Sequence, residues 1–173
     1  MNSDLKILKE TGIILAGHDQ SGKTTLAHSL CKMTGNGYIH NDPPQNIDSW
    51  FDEYTKNIKE HPMIIDRSYM CEMVYGPILR NENNITFEIQ KEIEDFFNKK
   101  GYIFILCHRT NFNKENFENR KELCNFETIL KIRDKYLEIY ETITLPKIIV
   151  NPFSTPFAIM DIIKFAKQNY KGV

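Results

Sequence analysis

The sequence has no long apolar run. The longest are four to six residues, too short to span a bilayer as a helix. A surplus of one charge is also missing: 22 Lys and Arg stand against 23 Asp and Glu, for a net charge of −1. The charges are interspersed, which argues against a sequence-independent nucleic-acid binder with its basic excess. A local basic cleft for a small anion is still allowed. The four cysteines, Cys31, Cys71, Cys107 and Cys124, form no C-x-x-C pair, and Cys107-His108 alone is not the close-spaced set that zinc needs. They read as reduced core thiols in a reducing compartment. The opening MNSDLKILKETG has no apolar h-region and no small-residue cleavage site, so no signal peptide is expected. No repeat, low-complexity tract or Pro/Gly/Ser linker breaks the chain. The expectation is one cytoplasmic domain over residues 1–173, with no nucleic-acid or membrane partner.

What is present suits a packed globular protein. With 173 residues, 41% of them hydrophobic and 26% charged, the chain can bury a full-sized core. Five short apolar segments read as strands: Ile13–Ala16, Tyr38–His40, Met63–Asp66, Tyr102–Cys107 and Lys147–Asn151. Unbroken runs such as IIL, MII, YIFILC and IIV suit strands covered on both faces. Helical patterns lie between them. The first runs from Lys23 to Thr34 and stops at Gly35. The second runs from Asp48 to Glu60, with Trp50, Phe51, Tyr54 and Ile58 at helical spacing. Others cover Thr86 to Lys100, Phe126 to Ile143, and a stretch opened by Ser154-Thr155-Pro156 that reaches Gln168. Strands alternating with helices predict an α/β fold: a five-stranded parallel sheet with helices on both faces and right-handed crossovers. Ligands of such sheets bind beyond the carboxyl ends of the strands.

One stretch stands at such an end. GHDQSGKTT, Gly17 to Thr25, follows the first strand and opens the first long helix. Gly17-x-x-x-x-Gly22-Lys23-Thr24 fits the phosphate-binding P-loop completely, and predicts the three-layer fold of P-loop NTPases. Gly17 and Gly22 permit backbone angles that turn amide N–H groups toward phosphate oxygens. Lys23 reaches the β- and γ-phosphates, Thr24 ligates magnesium, and the helix N-terminus adds its dipole. A chance match in a chain of this length is of order 1%, and the strand-then-helix context makes it rarer. ATP and Mg2+ are therefore the expected ligands, held by Gly17, Gln20, Ser21, Gly22, Lys23, Thr24 and Thr25. Asp19 is out of place beside a polyphosphate, because like charges repel. Its expected use is to accept a hydrogen bond from a sugar hydroxyl of a second substrate.

A second cluster, MIIDRSYMCEMVYGPILR, starts at the end of the third strand. Asp66 there can hold magnesium, as the second half of a P-loop ATP site does. Arg67 offers a planar fork suited to a pair of phosphate oxygens.

Together these segments resemble the thymidylate kinase family. GHDQSGKTT is similar to its G-x-D-x-x-G-K-[ST] loop. Asp66-Arg67, followed by Tyr75-Gly76, is similar to its D-R-[YF]…A-Y-Q-G segment. Ser68, in place of the aromatic, resembles instead the E-R-S motif of deoxynucleoside kinases, which share the fold. The resemblance implies ATP-dependent phosphorylation of a deoxynucleoside monophosphate, dTMP first, to the diphosphate. It implies that Asp19 binds the acceptor's 3′-hydroxyl, that Arg67 binds its phosphate, and that Tyr75 lies beside its sugar or base. Asp42, before Pro43, takes the place of the family's acid near the acceptor phosphate and magnesium. Trp50, Phe51 and Tyr54 fall where the family puts its base-stacking helix, with Phe51 the expected platform. A homodimer is a further expectation from this resemblance.

One departure concerns the catalytic cation. The family carries an arginine in the P-loop or in a flexible lid, and Gln20 holds the loop position. The lid, residues 109–125, must then supply the charge that closes over the γ-phosphate. Arg120 is the expected residue, with Lys121 and Arg109 in reserve.

Three other functions compete. A deoxynucleoside kinase would phosphorylate a 5′-hydroxyl and need a general base, Asp42 or Asp66. A GTPase-like switch lacks its guanine-reading N-K-x-D, since Asn113-Lys114-Glu115 runs on to Asn116. A catalytically inert nucleotide-binding module is disfavoured by the intact set of Lys23, Thr24, Asp66 and Arg67. The base of the acceptor is left open by the sequence.

Overall fold

The apolar runs become strands, and the three central ones are buried on both faces. In the computed structural model, which describes residues 3–42, 47–118 and 124–170, five strands form one sheet: β1 (Gly12–Ala16), β2 (Gly37–His40), β3 (Met63–Asp66), β4 (Tyr102–Cys107) and β5 (Lys147–Val150). Their order is β2-β3-β1-β4-β5, and every pairing is parallel. Each residue of β1, β3 and β4 is buried. All five expected strands are present, and none of their ends moves by more than one residue.

Alternation along the strands divides the core into two layers. Ile13 and Leu15 of β1, Ile64 of β3 and Ile105 of β4 pack with α1 (Ser3–Lys9), α2 (Lys23–Thr34) and α8 (Thr155–Asn169), through Leu8, Leu26, Leu30 and Ile162. Ile14, Ile65 and Phe104 face the other way. They meet α4 (Tyr69–Tyr75), α5 (Phe87–Lys99) and α7 (Phe126–Thr142), with α3 (Trp50–Thr55) and α6 (Lys114–Glu118) at the margin. Caps set several of these boundaries. Thr86 accepts from Ile89 N–H and Asn125 from Thr128 N–H, while Gly35, at φ 75°, closes α2.

Three short helices, α1, α4 and α6, were not expected, and α3 is shorter than its pattern. Ser49 caps α3, accepting from Asp52 N–H, so the helix starts at Trp50 rather than at the expected Asp48. The helix ends at Thr55, where Lys56 N–H still donates to Asp52 O at 2.8 Å, and the chain then turns toward β3. After α4 the chain continues through a π-helical turn, Gly76–Arg80, closed by Asn81 at φ 57°. No disulfide joins Cys31, Cys71, Cys107 and Cys124. Among the described residues no helix is long and apolar enough to cross a membrane.

The sheet order places a crevice. From β1 the chain goes to one side for β2 and β3, then to the other for β4 and β5, so β1 sits at the switch point where ligands bind. Leu15 pairs with Asp66 in register, which puts the loop after β1 beside the acid and arginine that end β3.

Candidate active site

Tight backbone geometry shapes the loop after β1. Gly17 has φ 145°, and a Cβ there would lie 2.3 Å from the Cys107 carbonyl oxygen at the end of β4. Only glycine fits. Gly22 also has a positive φ, 89°, as the residue before α2, and Gln20 holds the left-handed region at φ 64°. Lys23 is buried, and its Nζ donates to the His18 carbonyl at 2.9 Å, across the loop it belongs to. Ser21 Oγ is buried without a hydrogen-bond partner. Thr25 is exposed at the start of α2.

His18 forms the inner wall of the loop. It is 1% exposed and packs on Phe112, with ring centroids 4.9 Å apart. Its Nδ1 lies 2.6 Å from the Asp19 carbonyl, so that nitrogen carries the proton, and Nε2 is buried without a partner. Burial in this setting lowers its pKa to about 4, which keeps the ring neutral near pH 7.

Asp66 gathers hydroxyls and an imidazole from two neighbouring elements. Thr24 Oγ1 donates to its Oδ2 at 2.6 Å and Tyr38 OH at 3.1 Å, with His40 Nδ1 3.3 Å away. The carboxylate is fully buried, and its Oδ1 has no partner. Sequence reasoning missed Tyr38 and His40. They reach Asp66 through the β2–β3 register, where His40 pairs with Asp66, and no local signal reveals that pairing. Burial, with the Asp66 charge beside it, pushes the Tyr38 phenol up to about 12.

Arg67 holds a strained backbone, φ 72°, which costs a non-glycine residue on the order of 1–2 kcal/mol. Two hydrogen bonds pin it there: its N–H donates to Leu15 O at 3.1 Å, and Asn41 Nδ2 donates to its carbonyl at 2.8 Å. Its Nη2 lies 3.7 Å from Asp19 Oδ1. The Asp19 N–H donates to Tyr75 OH at 3.1 Å. The expected acceptor residues Asp19, Asp42, Arg67 and Tyr75 thus line one pocket with Gly17 and Lys23.

Phe51 is placed differently. It packs edge-on against Phe96, with centroids 5.7 Å apart, and does not line the pocket; Tyr54, nearly one turn further along α3, does. Helical spacing alone could not tell which of two neighbouring aromatics faces the core. Arg120 and Lys121 lie outside the described residues. Arg109 stacks on Phe153, with Cζ 4.2 Å from the ring centroid, and also faces Phe112. Phe153 follows β5 and borders Gly22. The pocket is also lined by a buried acid, Glu72, with Leu79, Arg80 and Tyr136, none of them singled out by the sequence.

A parallel five-stranded sheet of this order, with a phosphate loop at its switch point, defines the P-loop NTPase fold, and solved structures of similar shape include kinases. YorR from Bacillus subtilis, solved with phosphorylated GDP, superposes with a TM-score of 0.74 at 22% identity, covering 93% of this chain and 98% of that one. Polyphosphate kinase 2 from Arthrobacter aurescens gives 0.64 at 13% identity, covering 96% and 73%. Two more share a TM-score of 0.57 and cover 91% and 98%: deoxyadenosine kinase from M. mycoides with dATP, at 17% identity, and thymidylate kinase from Ehrlichia chaffeensis, at 15%. No family model and no curated protein sequence matches the chain. The chain therefore has the fold of the P-loop kinases. These identities do not carry the thymidylate kinase subtype.

Proposed function

We propose that this protein transfers the γ-phosphoryl group of ATP to the 5′-phosphate of a deoxynucleoside monophosphate. The observation that carries the reading is one pocket lined by both Lys23 of the phosphate loop and Arg67, a second cation fixed in a strained conformation. Two cations at one cleft suit two phosphate-bearing substrates brought end to end, and phosphoryl transfer needs positioning and charge neutralisation above all.

Each chain group has a task in that reading. Lys23 exchanges its bond to the His18 carbonyl for phosphate oxygens. Amides of the Gly17–Lys23 loop cradle the donor phosphates, helped by the α2 dipole. Thr24 and Asp66 would hold Mg2+, and the fit is good: Asp66 Oδ1 is a buried carboxylate oxygen without a partner, which a cation would satisfy. The ion would supply positive charge there that offsets the charge of the phosphates. Arg109 and Phe153, stacked beside Gly22, would receive the donor's base. Arg67 grips the acceptor phosphate, Asp19 its 3′-hydroxyl, and Tyr75 the sugar. Asp42 lies near both phosphates, and Arg120 would close over the transferred group.

Among acceptors, dTMP has the motif resemblance in its favour. A second reading, a nucleoside acceptor, is favoured by Ser68, which lines the same pocket as Arg67. The deciding experiment offers Mg-ATP with deoxynucleoside monophosphates and with nucleosides, and resolves the products by chromatography. Diphosphates from monophosphates alone support the proposal. Monophosphates from nucleosides alone overturn it.

A further inference from the structure

The acceptor pocket has a second charged end that the transfer itself does not use. Glu72 stands one helical turn beyond Ser68 on α4 and is 5% exposed. It lines the same pocket as Arg67, together with Tyr54, Leu79 and Arg80. Its Oε1 receives Arg80 Nη2, and Asn84 Nδ2 at 3.2 Å. Among the described residues no donor reaches its Oε2. A buried carboxylate is costly unless paired; here Arg80 and Asn84 hold one oxygen in place, and the other keeps its full acceptor capacity. Arg80 in turn donates Nε to Glu82 at 3.3 Å and has further N–H groups for a ligand.

We propose that Glu72 and Arg80 read the acceptor's base, selecting one with an exocyclic amino group (adenine, cytosine or guanine) over thymine or uracil. The inference rests on the pocket being the acceptor site. Each amino-bearing base sets a donor next to an acceptor on its outer edge, the complement of a carboxylate oxygen beside a guanidinium. Thymine and uracil also set a donor, the ring N–H, beside a carbonyl that a guanidinium could hold, but the second carbonyl on the other side of that N–H is turned toward the same carboxylate oxygen and is repelled by it. The pocket floor thus runs against dTMP, the base that the motifs alone favour.

The test is a competition of dAMP, dCMP, dGMP, dTMP and dUMP, with kcat/KM and calorimetric Kd measured for each on the full chain. At least one amino-bearing nucleotide should exceed dTMP roughly ten- to hundredfold, the discrimination of a paired base contact. In Glu72→Gln, whose amide can donate to a thymine carbonyl, that ratio should fall at least about tenfold. A wild-type preference for dTMP or dUMP, or a flat series, overturns the proposal whether or not the variant folds. If nucleosides react and monophosphates do not, the kinase reading above fails, while the same ranking among dA, dC, dG and thymidine still decides this one. If no series reacts, the Kd ranking decides it, and absence of binding to every member also overturns it.

Discussion

The Thr24 hydroxyl donates to Asp66 Oδ2 at 2.6 Å, joining the first turn of α2 to the end of β3. In the proposed reading the bond poises the two groups that would hold magnesium. Asp66→Asn keeps the shape and removes the charge. The expected result is a fall in kcat of roughly 100-fold or more at saturating ATP, with a raised requirement for Mg2+. Titrating activity against Mg2+ checks it, and an unchanged requirement would remove Asp66 from the metal site.

Arg67 sets stability against function. Replacing it by glycine relieves a backbone at φ 72°, so Arg67→Gly should unfold at equal stability or up to about 1 kcal/mol higher. The same change should lower kcat/KM for the acceptor by about two orders of magnitude and leave ATP affinity intact. Urea unfolding and acceptor kinetics read the two effects separately.

Arg109 over Phe153 gives a test of the donor side. Arg109→Ala removes the cation–π stack at 4.2 Å. ATP affinity should weaken by roughly fivefold, on the order of 1 kcal/mol, with the acceptor KM unmoved. A change in the acceptor KM instead would move Arg109 out of the donor site.

His18 makes the fold acid-sensitive. Its pKa falls from 6.5 to about 4 because burial disfavours the charged ring. The unfolded chain therefore takes up a proton that the folded one refuses, and stability drops as pH falls from about 6.5 to 4. The full loss from this group is roughly 3 kcal/mol. Denaturant midpoints at pH 7, 5 and 4 should converge between wild type and His18→Asn as the pH falls, because the variant lacks this term.

Glu94 ties α5 to the segment before β5. It is 1% exposed and receives Tyr69 OH at 2.9 Å, Gln90 Nε2 at 2.7 Å and Thr144 N–H at 2.6 Å. Tyr69→Phe removes one donor of several, so its expected cost is about 1 kcal/mol. Glu94→Ala strands all of the donors and should cost several times more, as read by thermal unfolding.

The strands were legible because each needs only a short run of apolar residues between turn signals, information that lies within six neighbouring positions. The phosphate loop was legible for the same reason: Gly17, Gly22, Lys23 and Thr24 act from one turn of chain. Sequence by itself thus determined the sheet, its parallel sense and one half of the candidate site. Tertiary structure decided the other half. His40 and Tyr38 meet Asp66 only through strand register, and Glu72 acquires Arg80 only after a π-helical turn redirects the chain. Which aromatic of α3 faces the pocket, Tyr54 rather than Phe51, depends on a helix rotation fixed by contacts with Tyr69 and Phe96. Short-range pattern specifies elements because their hydrogen bonds are local. The lining of a pocket is set by packing between elements far apart in the chain, and no local pattern records it.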